Sequence, residues 1–182
     1  MSHIIYQTEG IILGRKDFGE ADAIITIFTE KFGKINAIAQ GVRYLKSKLR
    51  YSLDKFSYSR FGLIISKAFE DSIWRIVDAE EKMPLTDLLK EKERIKILSR
   101  IMKLIDRMVQ GEERNDNLWQ EIKRVVTALN DQKISQKDLS ELEISVVLNI
   151  LTVLGYLERG IRYESGKKAI AAINHALKES ML

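Results

Sequence analysis

The apolar pattern of this chain changes its period at Pro84, the only proline. Before it, Ile11 and Leu13, then Ile25 and Ile27, recur at a spacing of two, which puts alternate side chains on one buried face of a strand. Ile12, Ile24 and Phe28 interrupt the alternation, as expected of strands that bury parts of both faces in a sheet closing on itself. Beyond Pro84 glycine is sparse and apolar spacing becomes three and four, the period of helices. A chain with this switch reads as α+β: a β module over residues 1–80 followed by an all-α bundle over 81–182, with the boundary between Glu80 and Pro84.

Five strands are expected, at Ile4 to Gly14, Ala23 to Glu30, Lys34 to Gln40, Asp54 to Ser66 and Ile73 to Ala79. Five short strands in such a span are the inventory of a small closed barrel of OB type. Gly10 suits a bulge or bend in the first strand, Lys16 to Asp22 a hairpin connection, and Gly33 a turn residue with positive φ. Val42 to Arg50 loses strand character and reads as a loop with a short helical turn near Lys46 to Leu49. In the second half, helices are expected to start at Pro84 to Asp87 and to run from Glu91 to Gln110, from Asn115 or Asp116 to Leu129, from Ser135 or Asp138 to Leu154, and from Ser165 to Ser180. The third of the long helices is apolar over most of its circumference, which places it centrally.

Several kinds of chemistry are excluded by residue supply. The chain has no cysteine, which removes disulfides, thiolate zinc sites and a cysteine nucleophile, and its two histidines, His3 and His175, leave little for a metal site or a catalytic triad. Gly10, Gly14 and Gly19 are followed by no Gly-Lys-Ser/Thr, so they make no phosphate loop. Glu20 and Asp22 lie in a turn without a partner base; hydrogen bonds fixing the hairpin, or an ion pair with Lys34, account for them better than catalysis. No enzyme, metal or cofactor is expected. With no long apolar run and no leader pattern, a cytoplasmic protein without a membrane partner is expected.

Charge is informative in its distribution. The net charge is +4, yet between Lys31 and Arg60 eight cations face one anion, Asp54. Such a concentration on a β module is the footprint a phosphate backbone requires. The candidate nucleic-acid contacts are Arg15, Lys34, Arg43, Lys46, Lys48 and Arg50, with Tyr44 among them as a surface for base stacking. Phe56, Tyr58, Phe61 and Trp74 are assigned to strands and to core packing, as is Trp119 to the apolar side of its helix. Lys92, Lys96, Arg100, Lys103 and Arg107 follow one another at helical steps along one face. A row of this kind is ordinarily solvated; the alternative is an extension of the nucleic-acid track or a docking strip for an acidic partner.

The order of motifs resembles the RecO recombination mediator family. The similar residues are Thr8-Glu9-Gly10-Ile11-Ile12-Leu13, Gly19-Glu20-Ala21-Asp22, Ile27-Phe28-Thr29, Gly33-Lys34, and Gly41-Val42-Arg43 followed by Lys46-Ser47, with Leu142-Glu143, Leu151 and Leu154-Gly155-Tyr156 in the helical half. The resemblance implies an OB barrel and a helical domain that bind single- and double-stranded DNA, anneal strands, engage single-stranded-DNA-binding protein, and with RecR help RecA load. It also suggests that the acidic tail of single-stranded-DNA-binding protein docks on the helical domain, where the row at Lys96, Arg100, Lys103 and Arg107 is the candidate strip. The chain departs from the family in three ways. Arg159 to Leu182 holds no cysteine where many members carry a zinc module, Gln40, Tyr44 and Leu45 stand where a cation or proline is common, and the chain ends early. Two other readings stay open: an interaction adaptor whose barrel no longer binds DNA, and an RNA-binding OB protein.

Overall fold

The fold was obtained as a computed structural model, which describes residues 4–66, 73–85 and 88–180. Five strands, β1 (Tyr6–Phe18), β2 (Asp22–Thr29), β3 (Gly33–Ala39), β4 (Tyr58–Ser66) and β5 (Ile73–Met83), close into a barrel in the order β1-β2-β3-β5-β4. All pairings are antiparallel except β3 with β5, which is parallel. This is the OB-type barrel that the strand inventory predicts. Its interior is filled by Ile12, Ala23, Ile25, Ile27, Ile35, Ala37, Phe61, Leu63 and Ile76, none more than 3% exposed. Ile11 and Phe28 pair across β1 and β2 and are fully buried although they lie outside that interior cluster, so both faces of the first hairpin are covered. Each such Ile or Phe contributes about 1.5–3 kcal/mol by leaving water.

Glycine shapes this barrel at two positions. At Gly10, which pairs with Thr29 and Ser59 together, an added Cβ would lie 2.8 Å from the Ile27 side chain and 3.1 Å from the Phe61 ring. Gly10 therefore permits close approach, while the register shift of β1 falls between Ile12 and Gly14, past the position expected for a bulge. Gly33 adopts φ +66, as its turn requires, and a Cβ there would collide with the Glu113 carbonyl at 2.1 Å. That carbonyl belongs to Val109–Asn115, which groups with Met1–Leu85 as one compact unit; Thr86–Met108 and Asp116–Leu182 form the other. The segment is also held by the Trp74 indole N–H donating to Glu112 (2.9 Å) and by Lys34 donating to the Val109 carbonyl (3.3 Å).

Several boundaries differ from those the sequence suggests. β1 continues through Lys16 and Asp17 to Phe18, which pair with β2, so only the tight turn at Gly19–Ala21 remains of the longer connection expected there. β5 runs to Met83 instead of ending at Ala79, because β4 continues to pair with it up to Tyr58. β4 begins at Tyr58, and Phe56 sits before it in a left-handed conformation, φ 72, with its side chain buried. Such a residue reverses the chain into the strand; the alternation Phe56-Tyr58 imitates strand periodicity without strand backbone. The expected helical turn at Lys46 to Leu49 is a series of turns in which Ser47, Arg50 and Ser52 donate to carbonyls three residues earlier.

The helical unit contains α1 (Lys92–Met108), α2 (Asp116–Asn130), α3 (Gln136–Val153) and α4 (Gly166–Glu179), preceded by a 3₁₀ turn at Leu88–Lys90. Of the helix expected from Pro84 to Asp87, Pro84 and Leu85 are irregular, and Thr86 and Asp87 lie outside the described residues. Ser135 and Ser165 cap α3 and α4, each accepting from the backbone N–H three residues on, which satisfies a helix-end donor. α3 packs on α1, α2 and α4, the central place its apolar circumference suggests. Ile97, Leu98, Ile101 and Ile105 of α1 bury against this unit together with Leu118, Trp119, Ile122 and Val126 of α2.

Candidate nucleic-acid interface and helical groove

Residues 40–57 connect β3 to β4 without a regular element, and their conformation follows from two buried anchors. Val42 and Leu53 are fully buried in the barrel core and Leu49 packs partly against it, so the segment is pinned at three places. What lies between is turned outward: Tyr44 is 63% exposed, Leu45 83% and Tyr51 79%. The entrance to the loop is fixed by Asp22, whose carboxylate accepts the Gly41 N–H at 2.7 Å, and by the Arg43 N–H donating to the Ala21 carbonyl. Asp22 thus does the structural work expected of a turn carboxylate, with Gly41 as its partner and not Lys34.

The sequence-derived candidates distribute unevenly on this frame. Arg43, Tyr44, Lys46, Lys48 and Arg50 share the loop. Arg15 joins them from β1, because it and Arg43 flank the same carboxylate, Asp17, each at 3.6 Å. Lys34 stands apart at the opposite end of β3, directed to the Val109 carbonyl. Lys46 and Lys48 are exposed and carry no carboxylate partner among the described residues. Arg50 lies over the Tyr51 ring at 5.8 Å, a cation–π contact that presents a stacked pair to solvent. Tyr51 and Arg75 escape the sequence reading. Tyr51 follows the cationic run directly, so aromatic interleaving was its available signal. Arg75, from β5, donates to the Gln40 side chain at 3.0 Å and brings a further cation to the loop entrance; no local pattern announces that cross-strand pair.

A second feature lies wholly within the helical unit. A groove of about 770 Å³ runs between α1, α3 and α4 over an apolar floor that includes Leu104, Ile144, Val147, Ile173 and Leu177. Arg100, Lys103 and Arg107 line it, and Glu143 is the only anion among the lining residues. Three of the four cations proposed for an acidic partner therefore meet at one groove. Lys96 is not among the lining residues and is paired to Glu93 at 2.7 Å on its own helix, which holds the Glu93 carboxyl below the usual carboxylate range. Arg100 forms a two-pronged pair with Glu143, Nε to Oε1 at 2.5 Å and a terminal nitrogen to Oε2 at 2.7 Å, and these hydrogen bonds raise its pKa above the ordinary arginine value. Among the described residues no group of three or more metal-ligating side chains converges, and no helix is long and apolar enough to cross a membrane.

The barrel order and its outward-turned loop, with a separate unit of helices, define an OB-type protein with a helical second unit. Residues 1–68 match the family described as "Recombination protein O N terminal". The chain is 30% identical over 131 residues to a DNA repair protein RecO of Alkaliphilus metalliredigens, covering 72% of this chain and 52% of that protein. It is 30% identical over 161 residues to the RecO of Clostridium perfringens, covering 88% and 61%, and 30% identical over 153 residues to that of a Roseiflexus species, covering 84% and 50%. The chain belongs to the RecO family. It spans about half to three fifths of the length of these curated relatives.

Proposed function

We propose that this chain acts in DNA repair and recombination as a non-enzymatic mediator that holds DNA through the loop at residues 40–57. The carrying observation is the loop's construction: Val42 and Leu53 are buried, while Tyr44, Leu45, Tyr51, Lys46 and Lys48 face solvent, the two lysines without a carboxylate partner among the described residues. Ammonium and guanidinium groups neutralise phosphates and release counterions, and exposed tyrosines offer faces on which unpaired bases stack. Nothing in such a surface reads base edges, so binding tolerates sequence. Backbone neutralisation lets a second strand approach, which is the physical basis for annealing of single strands and for contact with duplex DNA. On this reading the helical groove takes the acidic tail of single-stranded-DNA-binding protein, and the mediator works with RecR in helping RecA load. Family membership supports these partner roles, and charge complementarity at the groove supports the tail in particular.

Fluorescence anisotropy with labelled single-stranded DNA at low and high salt tests the central claim. With three to four phosphate contacts from the loop, affinity falls with salt at a logarithmic slope of about −2 to −3. Replacing Lys46 and Lys48 by glutamate flattens that slope by at least about one. Absence of salt-dependent binding in the native chain points instead to an interaction adaptor, a reading favoured by the sharing of Asp17 between Arg15 and Arg43. Stronger binding to RNA of matching sequence would assign the barrel to RNA.

A further inference from the structure

The rim of the helical groove already contains a carboxylate bound in the way a ligand carboxylate would bind. Glu143, on α3, fills the fork of Arg100 with two hydrogen bonds of 2.5 and 2.7 Å, yet Arg100 remains 55% exposed and Glu143 22%. Lys103 and Arg107, on the same helix as Arg100, have no carboxylate partner among the described residues. We infer that Glu143 is an internal competitor: an acidic peptide with an apolar end enters over Ile144, Val147 and Ile173, is drawn first by Lys103 and Arg107, and gains Arg100 only by displacing Glu143. The inference rests on the groove being the acidic-peptide site proposed above, and it adds the residue that sets how strongly acidic an occupant must be.

The physical argument is one of exchange. An arginine fork holds one planar carboxylate in bidentate geometry, so two carboxylates cannot both occupy it. A half-exposed pair is weakly held, because solvent screens it and two side chains must be ordered to make it. Displacement is therefore feasible. It carries a penalty that a peptide with a single carboxylate recovers poorly, whereas one with several adjacent carboxylates also engages the two unpaired cations. Neutral apolar segments gain nothing from this exchange and would leave Lys103 and Arg107 desolvated beside no partner.

The test is a double-mutant cycle read by fluorescence anisotropy on the full chain. The probe is a fluorescein-labelled peptide of aspartates followed by leucine and phenylalanine with a free carboxyl end. Glu143→Gln keeps size but loses the charge and one of the two acceptor oxygens that hold Arg100, which loosens the fork, and is expected to tighten probe binding about two- to fivefold, the range of an exposed pair. In an Arg100→Gln background, Glu143→Gln is expected to leave affinity unchanged, since no fork remains to be freed. Equal tightening in both backgrounds would mean a general loss of negative charge and would overturn the competitor role, as would unchanged affinity in the native background. If the native chain and every variant ignore the probe while retaining native thermal midpoints, the groove is not an acidic-peptide site and both readings fall together. A further arm uses the same peptide with asparagine in place of aspartate: it should bind Glu143→Gln no better than the native chain.

Discussion

Removing the guanidinium of Arg94 would take a donor from each of three backbone carbonyls. Arg94 is 4% exposed, donates to the carbonyls of Leu129 and Asp131 at 2.8 Å and of Ile134 at 3.2 Å, and pairs with Glu91 at 2.6 Å. It therefore closes the C-terminal end of α2, whose last carbonyls have no intrahelical partner. Arg94→Met preserves much of the stem's packing but removes those bonds, and is expected to cost about 2–3 kcal/mol, read as a lowered thermal midpoint and faster amide exchange at the end of α2. Tyr58 makes a different prediction. Its hydroxyl donates to the Glu9 carboxylate at 2.6 Å, and burial first, then that hydrogen bond, raise its pKa far above the ordinary tyrosine value. Above pH ~10 the unfolded tyrosine loses its proton while the folded one keeps it, so the native state binds more protons there. Its stabilisation is complete below that pH and declines above it by about 1.4 kcal/mol per pH unit. Urea titrations at rising alkaline pH should show this decline in the native chain and lose that component in Tyr58→Phe.

In the proposed function, nucleic-acid binding rests on the loop between β3 and β4, whose order comes from contacts distant in sequence. Asp22→Ala removes the acceptor of the Gly41 N–H and frees the loop entrance. Ordering that backbone then has to be offset on binding, so single-stranded DNA affinity should fall about three- to tenfold while the barrel keeps its fold. Tyr51→Ala, which deletes the ring beneath Arg50, should cost about 1–3 kcal/mol of binding to unpaired bases and leave the salt slope unchanged. Loss of affinity equally for duplex and single strands would argue against stacking. The loop also shows what was legible in the sequence. Its cationic composition is a local property and stood out; so did the strands with regular alternation. The burial of Val42 and Leu53, the left-handed Phe56 and the sharing of Asp17 are set by tertiary contacts, which local periodicity does not encode. Lys34 illustrates the same limit, since counting charge along the chain places it with cations from which a whole strand separates it. In the helical half, the spacing of Lys96, Arg100, Lys103 and Arg107 predicts a row, but Glu143 is 43 residues from Arg100 and no helical period connects them.

At the scale of the molecule, the loop and the groove belong to different compact units, and the two ligands expected of them carry charge in different forms. A nucleic acid is a polyanion of regularly spaced phosphates and binds wherever cations and exposed rings follow its backbone. An acidic peptide with an apolar end needs cations around a hydrophobic floor, which residues 40–57 do not provide and the helical groove does. Charge alone would let either ligand visit either site, so selectivity depends on the apolar floor in one case and the tyrosines in the other. Lys46→Glu with Lys48→Glu should therefore weaken single-stranded DNA binding by tenfold or more, about 1.4 kcal/mol, and leave binding of an aspartate-rich peptide within twofold. Lys103→Glu with Arg107→Glu should do the reverse. Each pair changes net charge by the same amount, so a response governed by overall charge would be equal for both variants and both ligands. Crossed loss, measured by anisotropy at one ionic strength, separates two built sites from a uniformly basic surface.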